Sequence, residues 1–273
     1  MAKMKAGFIG LMPRDAPDPL VILESYAKAG FKGAEGAGFF FRENPADGAK
    51  KLKEMGLEPL TVGYGSRPGS GPPTVEQLIE NCNTWGVKRV ASFGGILMAP
   101  RFGGGEWPDY DAIMKEIETF EEVAKGLAKE GIRFTFHNHD VEFTQTYNGV
   151  PAFWLMAAHS EHICFQVDVG WAMYGGEDPI RLMKTLGKRC TDIHIKDYAP
   201  GEVVQDRPND VKVIMPRFTT PGTGVLDLAG CLKQASELGI EWAVIEQDFQ
   251  YNLSQYETIQ AAYLNMKETG FVE

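Results

Sequence analysis

Short apolar runs alternate with longer amphipathic stretches along most of this chain, and the alternation is regular. The runs that read as strands are Ala6–Met12, Gly33–Gly36, Glu58–Gly63, Arg89–Phe93, Ile132–His137, Ile163–Asp168, Asp192–Lys196 and Trp242–Glu246. Between them, Pro17–Ala29, Asn44–Met55, Thr74–Trp85, Tyr110–Glu130, Val150–Ala158, Pro179–Leu186, Leu226–Leu238 and Ser254–Lys267 read as helices. Many of these end on glycine, as at Gly30, Gly56, Gly86, Gly131, Gly187 and Gly239. Glycine just past the last turn is the favoured left-handed stop.

Eight strand–helix units in 273 residues predict an α/β fold, a single closed (β/α)₈ TIM barrel, for which roughly 250 residues is typical. A doubly wound open sheet is the alternative. It would have fewer strands and a phosphate-binding glycine turn after the first. The first turn here reads Gly10-Leu-Met-Pro-Arg-Asp-Ala-Pro-Asp-Pro, which is not G-x-G-x-x-G. No low-complexity segment or linker divides the chain, so one domain over residues 1–273 is expected. Two long loops, Gly94–Pro108 and Tyr198–Val225, fall on the C-terminal face, where barrel active sites are built. Their glycines suit the hinges of movable lids.

A formal charge of −10 argues against nucleic acid or an anionic membrane as partner, since both call for a basic surface. No apolar signal region or spanning stretch is visible, which predicts a cytoplasmic protein. Cys82, Cys164, Cys190 and Cys231 are scattered without C-x-x-C spacing and read as reduced thiols.

Chemistry gathers at four strand ends. If the last four strands lie side by side, Glu142, Asp168, His194 and Glu246 converge on one rim, because neighbouring strands are about 4.8 Å apart. Three carboxylates at one place repel one another unless a cation neutralises them. An oxygen-rich set with one imidazole suits a divalent ion with open water positions, Mn²⁺ first, with Mg²⁺, Co²⁺ and Zn²⁺ as alternatives. His137 and His139 alternate with Asn138 and project to one side, so they are candidates for ligands or for holding substrate hydroxyls. Glu142 lies beyond them and reaches the rim only if the chain bends after His139. Whether His137 or Glu142 supplies the ligand of strand five stays open.

These residues carry a resemblance to the sugar phosphate isomerase/epimerase branch of the xylose-isomerase-like TIM-barrel superfamily. The matching stretches are His137-Asn-His-Asp-Val-Glu-Phe143, Val167-Asp-Val-Gly-Trp171 with Gly175-Gly-Glu-Asp-Pro179, His194-Ile-Lys-Asp197, Pro221-Gly-Thr-Gly-Val-Leu-Asp227 and Ile245-Glu-Gln-Asp248. The resemblance runs over nearly the whole chain in strand order. It implies a metal held by Glu142, Asp168, His194 and Glu246. It also implies a small carbohydrate substrate touched by His137, His139, Trp171, Lys196 and Arg217. Related barrels often pair as dimers or tetramers, so a homo-oligomer is compatible with it. Two departures stand out: many epimerases carry Glu where His137 stands, and a substrate-contacting His where Trp171 stands.

The implied reaction is proton transfer next to the carbonyl of a keto-sugar or keto-inositol, through a metal-stabilised enediolate. Glu142 and Glu246 would act as the paired acid and base of an isomerase or epimerase. The alternative is a lyase, of inosose dehydratase or 3-keto-glycoside- or C-glycoside-cleaving type, in which the same carbanion expels a leaving group. An endonuclease sharing the barrel would need a His-rich metal cluster and a basic groove, and the chain has five His and an acidic balance. A sugar-binding role without catalysis is the remaining class.

Overall fold

The computed structural model describes residues 3–9, 18–36, 38, 41, 43–65, 71–206, 211–248 and 253–273. The expected extension of the first strand through residues 10–12, and Pro17 of the first helix, lie outside the described residues.

Nine strand segments form one parallel sheet, while β7 (Thr146–Tyr147) and β8 (Val150–Pro151) pair with each other outside it. In spatial order the nine are β3 (Glu58–Pro59), β2 (Gly33–Glu35), β1 (Lys5–Ile9), β13 (Trp242–Ile245), β10 (Cys190–Ile195), β9 (Ile163–Asp168), β6 (Arg133–His137), β5 (Arg89–Ser92) and β4 (Val62–Gly63). The two ends of that order, β3 and β4, are halves of one run interrupted at Leu60–Thr61. Leu60 N–H still donates to Ala34 on one side, while Tyr64 N–H donates to Ala91 on the other. The run thus changes partners midway and closes the sheet into an eight-stranded TIM barrel.

Helices cover the outside. They include α1 (Pro19–Ala29), α2 (Pro45–Glu54), α3 (Val75–Trp85), α5 (Tyr110–Ala128), α7 (Ala152–Ala158), α9 (Pro179–Leu186), α10 (Leu228–Leu238) and α11 (Gln255–Glu268). Local chemistry sets their ends. Thr74 with Gln77, and Ser254 with Glu257, form reciprocal capping boxes. Gly86 and Gly239 end α3 and α10 in the left-handed conformation, as their sequence positions predict. Among the described residues, no helix is long and apolar enough to cross a membrane.

Strand alternation sorts the core. On β10, Cys190, Ile193 and Ile195 belong to the apolar core with Phe165 and Val167 of β9. The intervening Asp192 and His194, and Gln166 and Asp168 on β9, are equally buried. They form polar contacts with Arg89, Glu35 and Lys196, residues of other strands or strand ends. That apolar set lies under the helices, while inside the barrel these polar groups share the space with a smaller apolar cluster of Leu60, Trp242 and Val244.

The long segment after β10 differs from expectation. Instead of a loop it forms an antiparallel hairpin, β11 (Asp197–Asp206) with β12 (Lys212–Thr219). Val213, Met215 and Phe218 form a buried cluster of their own with Trp171, while Ile214 and Arg217 are exposed. That alternation is a strand pattern, which the proline and glycine content of the segment obscured.

The expected Gly94–Pro108 loop contains only the short α4 (Met98–Arg101) and docks on this hairpin. Arg101 Nε donates to both Asp140 oxygens at 3.0 and 2.9 Å, and a terminal nitrogen donates to the Ile214 carbonyl at 3.0 Å. A Cβ at Gly103, whose φ is +83°, would collide with Val211, so the two segments meet where only glycine fits. Arg101 therefore ties three pieces of the C-terminal face together. Arg101→Ala should leave Asp140 buried without its cation and destabilise the protein by about 3 kcal/mol. It should also speed proteolysis within Asp197–Thr219. Unchanged urea unfolding together with an unchanged cleavage rate would contradict this account.

Candidate functional site

The C-terminal ends of four adjacent strands bring together His137 (β6), Asp168 (β9), His194 (β10) and Glu246, just past β13. One potential ligand atom from each lies within 4.8 Å of the others. Register accounts for part of this: His194 sits directly beside Asp168 across β10 and β9, and His137 beside Gln166 across β6 and β9. Asn138 adds a brace. Its side-chain amide accepts from Asp168 N–H and donates to the Asp168 carbonyl, at 3.1 and 3.2 Å, mimicking a peptide partner.

Asp168 serves two partners. One oxygen accepts from Trp171 N–H at 2.7 Å and caps α8 (Val169–Tyr174), while the other faces Lys196 Nζ at 3.2 Å. The helix begins so close to the β10 end that a Cβ on Gly170 would stand 2.6 Å from the Lys196 carbonyl. Lys196, fully buried, also contacts Glu246 at 3.4 Å and Asp248 at 2.7 Å. Its ammonium lies 5.1 Å from the Trp171 ring and 5.4 Å from that of Phe218.

Electrostatics divide the titratable groups. Burial opposes the charge on Lys196, but Asp168, Asp248 and Glu246 outweigh it and hold the amine above its ordinary range. Burial likewise disfavours a charged Glu246, yet Lys196 and His194 keep its carboxyl well below the usual range. Asp168 is pushed up to about 6, by burial first and against the pull of Lys196. His194 resists burial through Glu35 and Glu246, which raise it to about 10. His137 and His139 go the other way: burial drives His137 well below its ordinary value and His139 to about 3. Both are neutral imidazoles at neutral pH.

This set fits a divalent cation. Both ring nitrogens of His137 are buried without a hydrogen-bond partner, and the second Asp168 oxygen meets the Lys196 ammonium alone. A neutral imidazole with a free lone pair is a metal ligand in waiting. Donors about 2.1 Å from one ion lie at most about 4.2 Å apart, so the 4.8 Å spread needs only small side-chain adjustment.

Glu142 does not join the cluster. After His137 the chain turns through Asn138–Asp140 into the short helix α6 (Val141–Thr144), which carries Glu142 away from the rim. There it accepts from His139 N–H at 2.7 Å and lines a small cavity with Glu116, Ile113, Phe136 and Phe153. Burial pushes its carboxyl up to about 8. His137 stands in the cluster instead, with its Nε2 3.6 Å from Glu246.

Of the expected substrate contacts, His139 lies between His137 and Trp171, edge-on to the first at 4.9 Å and tilted against the second at 5.5 Å. His139 Nδ1 and Trp171 Nε1 are both buried and unpartnered. Lys196 is enclosed by carboxylates. Arg217 is exposed on β12, paired across the hairpin with Ala199, and is not among the buried groups around the cluster. Sequence reasoning passed over Glu35, which contacts His194, and gave Asp248 no role. Glu35 was detectable by the same sign that exposed the others, a carboxylate at the end of a short strand.

Residues 23–262 match the Xylose isomerase-like TIM barrel family. An inosose dehydratase of Klebsiella pneumoniae subsp. pneumoniae is 23% identical over 250 residues, covering 83% of this chain and 81% of that protein. A sugar phosphate isomerase/epimerase from Parabacteroides distasonis superposes with a TM-score of 0.74 at 19% identity, covering 98% of this chain and 96% of the other. A probable 3-DHS dehydratase from Bacillus anthracis superposes with a TM-score of 0.66 at 12% identity, covering 97% and 98%. In fold, in strand order and in sequence, the chain belongs to the Xylose isomerase-like TIM barrel family.

Proposed function

We propose that the chain is a divalent-metal-dependent lyase that removes water from a ketonic cyclic polyol of the inosose type. The observation that carries this reading is that the cluster presents one carboxylate that is not fully buried. Isomerisation or epimerisation between two carboxylates needs a second acid–base group across from the first, the part expected of Glu142. Glu142 is turned away, and Asp168 is held by Trp171 N–H and Lys196. Of the four cluster residues Glu246 alone is not fully buried, so it is the carboxylate placed to meet a substrate. Elimination can run on one such group. The inosose dehydratase relatives support the same choice.

A divalent ion held by His137, Asp168, His194 and Glu246 would polarise the substrate carbonyl and stabilise charge developing on its oxygen. With two imidazoles in the set, Mn²⁺, Co²⁺ and Zn²⁺ suit it better than Mg²⁺. Glu246, ionised by its cationic neighbours, takes the proton from the carbon next to the carbonyl. The C–O bond to the β-hydroxyl then breaks as the C=C bond forms. Glu246 returns the proton to the departing oxygen, which leaves as water. Lys196 remains cationic throughout and holds fixed positive charge beside the reacting carboxylate. The free donors of His139 and Trp171 orient substrate hydroxyls, and the Trp171 ring offers an apolar wall.

Incubation with an inosose in deuterated water, followed by NMR and mass analysis, should show loss of one water. A product of unchanged composition carrying solvent deuterium would instead establish an isomerase or epimerase. Glu246→Gln should lower kcat by about 10²–10⁴-fold, the usual contribution of a general base. Glu142→Gln, which can still accept from His139 N–H, should keep kcat within a few-fold. Equal losses in the two variants would restore the paired-carboxylate mechanism. Chelation should abolish turnover, with recovery on adding back Mn²⁺, Co²⁺ or Zn²⁺.

A further inference from the structure

Glu35 is the largest unexplained feature of the barrel interior. It ends β2, on the far side of the barrel from His137, and its side chain is fully enclosed. A buried carboxylate is strongly unfavourable unless its oxygens are satisfied. Two groups satisfy it: Gln166 Nε2 at 2.9 and 3.2 Å, and His194 Nε2 at 2.5 Å. His194 is thereby held at both ends, since its Nδ1 lies 2.7 Å from Glu246. An imidazole has only two nitrogens, so with Nε2 engaged by Glu35, Nδ1 is the one left to face the cluster.

We infer that Glu35 is a positioning residue for the metal centre, fixing the tautomer and ring orientation of His194 so that Nδ1 meets the ion. The inference rests on the metal-binding part of the proposed function and is independent of the substrate. A carboxylate behind a ligating imidazole is a recurrent arrangement, and its removal typically weakens metal affinity by about 10- to 100-fold. Gln166 has a subsidiary part: it holds the second face of Glu35 and lies beside His137 across β9 and β6, linking two ligand strands through one carboxylate. Among the described residues Glu35 contacts Gln166 and His194, and of these His194 alone belongs to the cluster, so the effect of Glu35 on the cluster passes through His194.

The test is metal affinity by competition calorimetry, with Mn²⁺ and Zn²⁺ separately, for the intact protein, Glu35→Gln and Glu35→Ala. Affinity should fall in that order, the alanine variant by about 10- to 100-fold, with the fold checked by circular dichroism. The glutamine variant keeps the volume and one acceptor oxygen, and it covers the case in which the alanine variant does not fold. On the unmutated protein loaded with Zn²⁺, long-range ¹H–¹⁵N spectra should show His194 protonated at Nε2 and metal-bound through Nδ1. Folded variants that bind both ions within twofold of the original would overturn the inference, as would a Zn²⁺-bound Nε2. A protein that binds no divalent ion would overturn this inference and the proposed function together. One that binds the ion, with Glu35 acting as described, but leaves inosose unchanged would overturn only the choice of substrate.

Discussion

The structure depends on neutralising acids inside a closed barrel. Barrel interiors are ordinarily filled by branched apolar side chains in layers. Here the inward positions of β9 and β10 carry Gln166, Asp168, Asp192 and His194, with Lys196 just beyond, and all are buried. Each charge survives only through a partner at hydrogen-bonding range. Arg89 meets Asp192, Glu35 meets His194 and Gln166, and Lys196 meets Asp168, Glu246 and Asp248. Around the rim, four carboxylates (Glu35, Asp168, Glu246 and Asp248) stand against two cations, Lys196 and the His194 imidazolium. The excess is negative. A divalent cation held by His137, Asp168, His194 and Glu246 would offset it.

This pairing also explains the shape of the C-terminal face. Asp168 must stay aimed at Lys196, and its other oxygen is anchored by the first turn of α8. That helix starts hard against the β10 end, where Gly170 leaves room for the Lys196 carbonyl. The same turn delivers Trp171, whose ring packs on Phe218 of the hairpin at 5.2 Å. The hairpin then rests on Trp171 and is fastened by Arg101. Charge balance in the barrel and the roof above it are thus joined through one short helix.

Much of this was legible in the sequence. Apolar runs alternating with amphipathic stretches, and glycines after helices, marked the eight strands because burial on both faces and helix stops are local demands. Asp168, His194 and Glu246 were legible as a cluster because each ends a strand, and parallel register carries strand ends to one rim. The hairpin was not legible, since its strand period lies between prolines and glycines and its partner is only itself. Glu35 ended a run already read as a strand, Gly33–Gly36, but it was passed over because only the ends of the last four strands were read together. Glu142 was misplaced because a strand pattern does not say where the strand stops.

That stopping point governs the chemistry available. Extended backbone beyond His137 would have carried successive side chains along the rim. Asn138 instead ties itself to the Asp168 backbone, and the chain coils into α6. Glu142 then faces Ile113, Phe136 and Phe153 beside Glu116, where burial keeps its proton on to about pH 8. A protonated acid in an apolar wall can brace His139 N–H, but it cannot face a substrate held at the cluster. The place at the rim passes to His137, whose neutral ring binds a cation better than it carries a proton. An imidazole rather than a carboxylate at this strand end removes a base and adds a neutral nitrogen donor at once, and the elimination proposed above rests on that combination.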